Sequence, residues 1–226
     1  MKNKILVLGD GLLGSEIIKQ TGCNYISRKK DNFDINNLLS IPSGYTTIVN
    51  CIANTDTYSD DAENLIKVNH DFVVDLAIYC KVNKIKLVHI SSDYVYANNK
   101  PFTKEVDTAK PHDCLYAKTK LMADIAISQI KGLNYLIIRC SHKPKPFPYD
   151  NAWEDYYTNA DYVDVISGLI IKLIKKDAIG IVNVGTEPKT MYQLAKITNI
   201  NVEPSNTPEH IPNNLIMDLR KMKKWI

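Results

Sequence analysis

Residues 1–14, Met1-Lys-Asn-Lys-Ile5-Leu-Val-Leu-Gly9-Asp10-Gly11-Leu12-Leu13-Gly14, contain the pattern that decides the fold. Ile5 to Leu8 is a continuous apolar run, as expected for a parallel strand covered on both faces. Gly9 permits a sharp turn, Gly11 lets a ligand approach the backbone, and Gly14 lets the following helix pack close to the strand. A helix over Ser15 to Gln20 would aim its positive end at that turn, which suits a pyrophosphate. Glycine turns are common, but one placed between an apolar strand and a helix start points to a dinucleotide site.

Outward from this stretch, strands and helices alternate. Strands are expected at 24–27, 46–51, 86–90, 133–139 and 181–184. Helices are expected at 61–81, 113–131, 162–175 and 191–197. Leu65, Val68, Phe72, Leu76 and Tyr79 form the apolar stripe of the first of these helices. Leu121, Met122, Ile125, Ala126 and Ile130 form that of the second. The alternation predicts a doubly wound α/β fold: a Rossmann parallel sheet with a small, reduced C-terminal lobe. The sheet domain is assigned to 1–140 and 160–184, and the lobe to 141–159 and 185–226. The run 143–150 holds three prolines, cannot be helix, and is placed as an ordered loop near the substrate.

The chain of 226 residues is 45% hydrophobic and 23% charged, an ordinary composition for a globular protein. A net charge of +3 with scattered lysines gives no nucleic-acid-binding stripe. No apolar run approaches membrane-spanning length, and the N-terminal segment has a strand pattern rather than that of a signal peptide. Five cysteines without a Cys-x-x-Cys pair suit buried thiols in a reducing cytoplasm. The histidines show no metal-ligand spacing, so no metal is expected.

The tip of the second strand meets the adenosine ribose in this fold. Here it is Ser27-Arg28-Lys29, with no acid before Asp31. A basic tip accommodates a 2′-phosphate, so NADP(H) is favoured over NAD(H). Ser91 and Ser92 end the strand 86–90, where ligands of parallel sheets bind. Thr55, Ser92 and the Gly9 turn are expected to share one crevice. Tyr-x-x-x-Lys occurs four times, at Tyr25/Lys29, Tyr96/Lys100, Tyr116/Lys120 and Tyr192/Lys196. Only Tyr116 follows a strand ending in hydroxyls and opens a core helix. A cation one turn away would lower the phenol's pKa toward working pH, making Tyr116 a proton donor. Lys120 could also hold the nicotinamide ribose. Ser92 would bond the substrate carbonyl oxygen, with Ser91 as its rival.

These motifs together resemble the extended short-chain dehydrogenase/reductase superfamily, and most of all its dTDP-4-dehydrorhamnose reductase branch. The branch carries a Ser-Thr-Asp-Tyr-Val-Phe segment, like Ser91-Ser92-Asp93-Tyr94-Val95-Tyr96, followed by a Tyr-Gly-Lys-Thr-Lys helix, like Tyr116 to Lys120. Asn50 to Thr55, Val68-Asn69 and Pro212 to Asp218 also resemble branch segments. The resemblance implies catalytic Ser92, Tyr116 and Lys120. It implies cofactor contacts from Gly9, Asp10, Gly11, Leu12, Leu13, Gly14, Arg28, Lys29, Ala53 and Lys120, and a substrate site lined by Thr55, Asp93, Tyr94 and His142. It implies hydride transfer from NAD(P)H to C4 of a 4-keto-6-deoxy sugar nucleotide, with the tyrosine protonating the oxygen. Three departures stand out. Ser92 replaces the branch's threonine, His142 stands in place of its tryptophan, and the chain is shorter after residue 140. Related dehydratases carry Asp-Glu where this chain has Asp93-Tyr94, which argues against dehydration. An epimerase and a non-catalytic NADP-binding regulatory subunit remain as alternatives, and the residues leave a homodimer through the two long helices open.

Overall fold

The structure is a computed structural model that describes residues 4–226. Residues 1–3, the start of the stretch quoted above, lie outside the described residues. Strands β1 (Ile5–Leu8), β2 (Asn24–Ile26), β3 (Thr47–Asn50), β4 (Lys86–Ile90), β5 (Tyr135–Arg139) and β10 (Gly180–Asn183) form one sheet in the order β10-β5-β4-β3-β1-β2. Every neighbouring pair in it is parallel. Leu6, Val7, Leu8, Ile48, Val49, Leu87 and Val88 are fully buried. Both faces of the central strands are therefore covered, as their unbroken apolar runs require.

Helix α1 (Leu12–Thr21) starts three residues before the expected Ser15, directly after Gly11. It packs against α6 (Val163–Lys175) on one face of the sheet, where Gln20 Nε2 donates to the Asp164 carbonyl and to Ser167 Oγ. The other face is covered by α3 (Ala62–Ile66), α4 (Phe72–Val82) and α5 (Leu115–Gln129). A π turn, Lys67–Asp71, joins α3 to α4 as one continuous helical stretch. The extra residue per turn advances the inward stripe. Leu65, Asn69, Phe72, Val73, Leu76, Ala77 and Cys80 are buried, whereas Val68 and Tyr79 are only half-buried.

The stripe expected for α5 is corrected more severely. Its buried residues are Ala117, Thr119, Lys120, Ala123, Asp124 and Ile127, while Met122 and Ile125 are 42% and 47% exposed. Small and polar residues turn inward because β5 supplies a partner: Arg139 Nε donates to Asp124 Oδ2 at 2.8 Å.

Beyond β5, short strands build a lobe: β6 (His142–Lys143), β7 (Asn151–Trp153), β8 (Tyr157–Thr158), β9 (Asp161–Tyr162), β11 (Lys189–Thr190), β12 (Glu203–Ser205) and β13 (Asn214–Leu215). Helix α7 (Met191–Lys196) opens on a capping box from Thr190 and Gln193. Phe147, Tyr156, Met191, Leu194 and Leu215 share the lobe's apolar cluster, so the proline run is anchored by Phe147. The tail, in which no element was expected after residue 197, adds β12, β13 and α8 (Arg220–Trp225). Leu219 and Met222 return to the core of the sheet.

Candidate active site

The chain leaves β1 for β2 on one side and then for β3 on the other. Leu8 and Asn50 therefore end side by side, and the crevice of a switch point opens beyond them. Gly9 sits at φ 91°, in the left-handed region, with the space of a Cβ only 2.9 Å from Ile52 Cγ1. A Cβ on Gly14 would lie 2.1 Å from the Gly9 carbonyl oxygen, so this contact of helix and turn demands glycine. Gly11 has nothing within 4 Å of a would-be Cβ, and it caps α1 with no side-chain hydrogen bond. The first N–H groups of a ten-residue helix thus meet an open, side-chain-free approach, which fits a pyrophosphate. Leu13 is a core residue and could offer the crevice only its backbone, whereas Leu12 is exposed.

At the tip of β2, Ser27 is tied to both nearby acids. Its Oγ donates to Asp10 Oδ2 at 2.9 Å, and its N–H donates to Asp31 Oδ2 at 3.0 Å. Arg28 and Lys29 are exposed and open the short helix α2 (Arg28–Asp31). On the other side of the switch point, Asn69 holds the loop after β3. Its Oδ1 accepts from Asn54 N at 2.8 Å, and its Nδ2 donates to the Asn54 carbonyl at 2.9 Å. This grip fixes half-buried Ala53 and leaves Thr55 exposed on the same loop. The π turn is what brings Asn69 there. The Val-Asn pair was its only signal in the sequence.

The two serines ending β4 separate cleanly. Ser91 Oγ donates to Asp124 Oδ2 at 3.0 Å and is committed to the core. Ser92 Oγ accepts from Tyr94 N at 3.2 Å and donates to Asp93 Oδ1 at 3.3 Å. Tyr116, in the first turn of α5, is half-buried beside it. Its phenol is pushed up, not down as expected. Desolvation is the main cause, the Asp93 charge adds to it, and the Ser92 hydroxyl opposes it. Lys120 does not offset this, because its Nζ is drawn into the sheet, donating to the Ile90 carbonyl at 2.6 Å. Burial lowers the Lys120 ammonium to about 8. The other three Tyr-x-x-x-Lys pairs are engaged elsewhere. Lys30 Nζ lies over the Tyr25 ring, Arg139 donates to the Tyr96 hydroxyl, and Lys196 of α7 donates to the Ile200 carbonyl.

Beyond the ends of β4 and β5 stand groups that lack partners among the described residues. Asp93 Oδ2 and His142 Nδ1 are both buried without a hydrogen bond. Burial raises Asp93 to about 6, against the pull of the nearby Lys143 ammonium. His142 is lowered to about 4 by burial, with the Lys143 charge adding, so its ring is neutral at neutral pH. Tyr94 stacks on His112 with centroids 5.5 Å apart, and its phenol is pushed up by burial and by the Asp93 charge. The lobe brings in Tyr156, buried and likewise raised by desolvation and by Asp93. Lys143 and Tyr156 escaped the sequence reading, although Lys143 directly follows His142. A carbonyl oxygen placed between Ser92 and Tyr116 would meet two hydroxyls. A polar ligand beyond it would meet unsatisfied acceptors and donors. Among the described residues, no group of three His, Cys, Asp or Glu could hold a metal, and no helix is long and apolar enough to cross a membrane.

Residues 3–142 match the sequence profile described as the RmlD substrate binding domain. A hypothetical dTDP-4-dehydrorhamnose reductase from Sulfolobus tokodaii superposes with a TM-score of 0.80 at 21% identity, covering 99% of this chain and 94% of that one. The dTDP-4-dehydrorhamnose reductase of Bacillus anthracis, solved in complex with NADP, superposes with a TM-score of 0.84 at 20% identity, covering 99% and 93%. MoeE5, solved with UDP-glucose and NAD, gives 0.79 at 16% identity, covering 98% and 91%. These likenesses establish the Rossmann-type fold. A comparison with curated protein sequences finds no match.

Proposed function

The chain belongs to the family of the RmlD substrate binding domain, and from that premise we propose that it is an NADPH-dependent reductase of a 4-keto-6-deoxy sugar nucleotide. The observation that carries this reading is the hydroxyl pair at the end of β4. Ser91 is bound to Asp124, which leaves Ser92 beside Tyr116. Bound NADPH would supply a hydride to the carbonyl carbon. Ser92 donates a hydrogen bond to the carbonyl oxygen, and Tyr116 gives that oxygen its proton. A phenol with a raised pKa holds its proton at working pH, as a donor must. Lys120 holds the ribose hydroxyls, and Gly9 to Gly14 cradle the pyrophosphate. Thr55, Asp93, Tyr94 and His142 contact the sugar nucleotide, beside a lobe formed from 141–159 and 185–226.

Preference for NADPH rests on Arg28 and Lys29, which are exposed while Asp10 and Asp31 are both occupied by Ser27. All five cysteines are free thiols, and burial pushes Cys51 and Cys80 up to about 12. Inert thiols of this kind suit the cytoplasm. Ile78 and Val82 of α4, with Met122 and Ile125 of α5, give the two long helices an exposed apolar face, where we place a homodimer contact. Sedimentation showing only monomers would remove it.

The decisive assay follows NADPH absorbance with a panel of 4-keto-6-deoxy sugar nucleotides, wild type beside Tyr116→Phe. Turnover that collapses in the variant while NADPH binding persists supports the reductase. Reduction of no sugar nucleotide, with NADPH bound, would instead favour the non-catalytic subunit. Interconversion of stereoisomers without net NADPH consumption would favour the epimerase.

A further inference from the structure

Behind Lys120 the sheet carries a buried polar relay. His89 of β4 is fully buried, and burial holds its pKa well below the ordinary value, with the Lys120 charge adding. The imidazole is therefore neutral, with one N–H and one bare nitrogen. Nε2 lies 3.3 Å from Lys120 Nζ. Nδ1 lies 3.3 Å from Nδ2 of Asn50, its cross-strand neighbour on β3. The Asn50 amide has a fixed orientation, because its Oδ1 accepts from Ile52 N at 3.1 Å. Its Nδ2, a donor only, thus faces Nδ1. That contact is a hydrogen bond only if Nδ1 is bare, which puts the ring proton on Nε2, aimed at Lys120. A lysine nitrogen can accept such a proton only as the amine. With Lys120 as an ammonium, Nε2 must be bare, and Nδ1–H then opposes the Asn50 N–H, two donors facing each other in the core.

The groups around Lys120 leave this balance open. On its own helix stand Tyr116 and Asp124, but Asp124 Oδ2 already accepts from Arg139 of β5 and from Ser91 at the end of β4. Asp93 acts on Tyr116. Cys51 after β3 and Cys140 after β5 are thiols that burial keeps protonated. Burial disfavours the ammonium, and Asp124 favours it.

We propose that His89 is a positioning residue for Lys120: held by Asn50, it keeps the lysine nitrogen on the Ile90 carbonyl and ties the lysine's charge to its own tautomer. The amine goes with Nε2–H and the ammonium with Nδ1–H. The exchange takes up one proton from solvent. Nζ gains a proton and the ring moves its own from Nε2 to Nδ1, staying neutral. The inference deepens the reading of Lys120 as the residue that holds the cofactor ribose, but its first test needs no turnover.

That test is long-range 1H–15N correlation spectroscopy of the imidazoles in the full chain across the titration of Lys120, centred near 8. His89 is assigned by the signal missing in His89→Gln. Expected is a neutral ring throughout, with Nε2–H on the alkaline side and a rising share of Nδ1–H as the pH falls. In Lys120→Met the ring should hold Nε2–H at every pH. An imidazolium, a tautomer that ignores pH in the wild type, or the same change in Lys120→Met would overturn the proposal. The activity readout is the pH profile of kcat/KM. His89→Leu should move the limb that reports Lys120 by about one pH unit or more, while His89→Gln, which keeps an N–H within reach, restores it. A His89→Leu profile equal to wild type, in a folded variant that turns over, would also overturn it. If no sugar nucleotide is reduced, the function proposed above fails while the imidazole titration still decides this one.

Discussion

The two halves of the site are made of different material. At the β1–α1 turn the working surface is backbone: Gly9, Gly11 and Gly14 contribute through the side chains they lack. At the β4–α5 edge the working groups are side chains, and their protonation depends on burial and on one another. The difference teaches where each half is vulnerable. The turn should respond to added volume and be indifferent to pH. The edge should tolerate small changes of shape and respond to charge.

The largest effect should come from the support of the edge. Asp124→Leu strands the Arg139 guanidinium in the core, and a broken buried pair costs about 3–5 kcal/mol, read as a lowered urea midpoint. Tyr116→Phe should cut kcat by about 10²–10⁴ while leaving NADPH affinity near wild type, which calorimetry and steady-state kinetics would separate. Equal losses in binding would mean that Tyr116 belongs to the cofactor half.

Asp93 titrates near 6 in the fold against an ordinary 3.8. Because its folded value is raised, its contribution to stability is fully present below the unfolded value and is lost as the pH rises through the folded one. Stability should therefore decline by about 2–3 kcal/mol between those two values. Asp93→Asn should flatten that decline in urea midpoints taken across the range. An unchanged slope would place the titration elsewhere.

Gly14→Ala should cost about 1–3 kcal/mol from overpacking alone and weaken NADPH binding, with little pH dependence in either. Gly11→Ala should be the mildest. Its Cβ meets nothing within 4 Å in the protein, so the melting temperature should stay put while NADPH affinity falls. If Gly11→Ala destabilised the protein as much as Gly14→Ala, the turn would not be an open cradle.

The legibility of the two halves differs in the same way. The strand, the glycine turn and the helix that follows are neighbours in sequence, and their geometry is set by residues within one window. The apolar runs of β3, β4 and β5 were legible for the same reason. The face of α5 was not. Apolar residues lie on more than one side of this helix, and β5 decides the matter by placing Arg139 opposite Asp124. The π turn was equally hidden, since Lys67 to Asp71 contain no glycine or proline to mark it. Yet it moves Asn69 inward and thereby fixes the loop after β3.

By itself, then, the sequence determined the fold class, the strand–glycine turn–helix unit and the segment that carries each candidate catalytic group, because these depend on local pattern and chain order. Tertiary structure alone decided which serine is committed to Asp124, which way the Tyr116 phenol shifts, and that Lys120 leans on His89. Those outcomes depend on contacts between strands and helices far apart in the chain, such as Ser91 with Asp124 and Asn50 with His89. They depend also on the loss of water around charged groups, which no local pattern records.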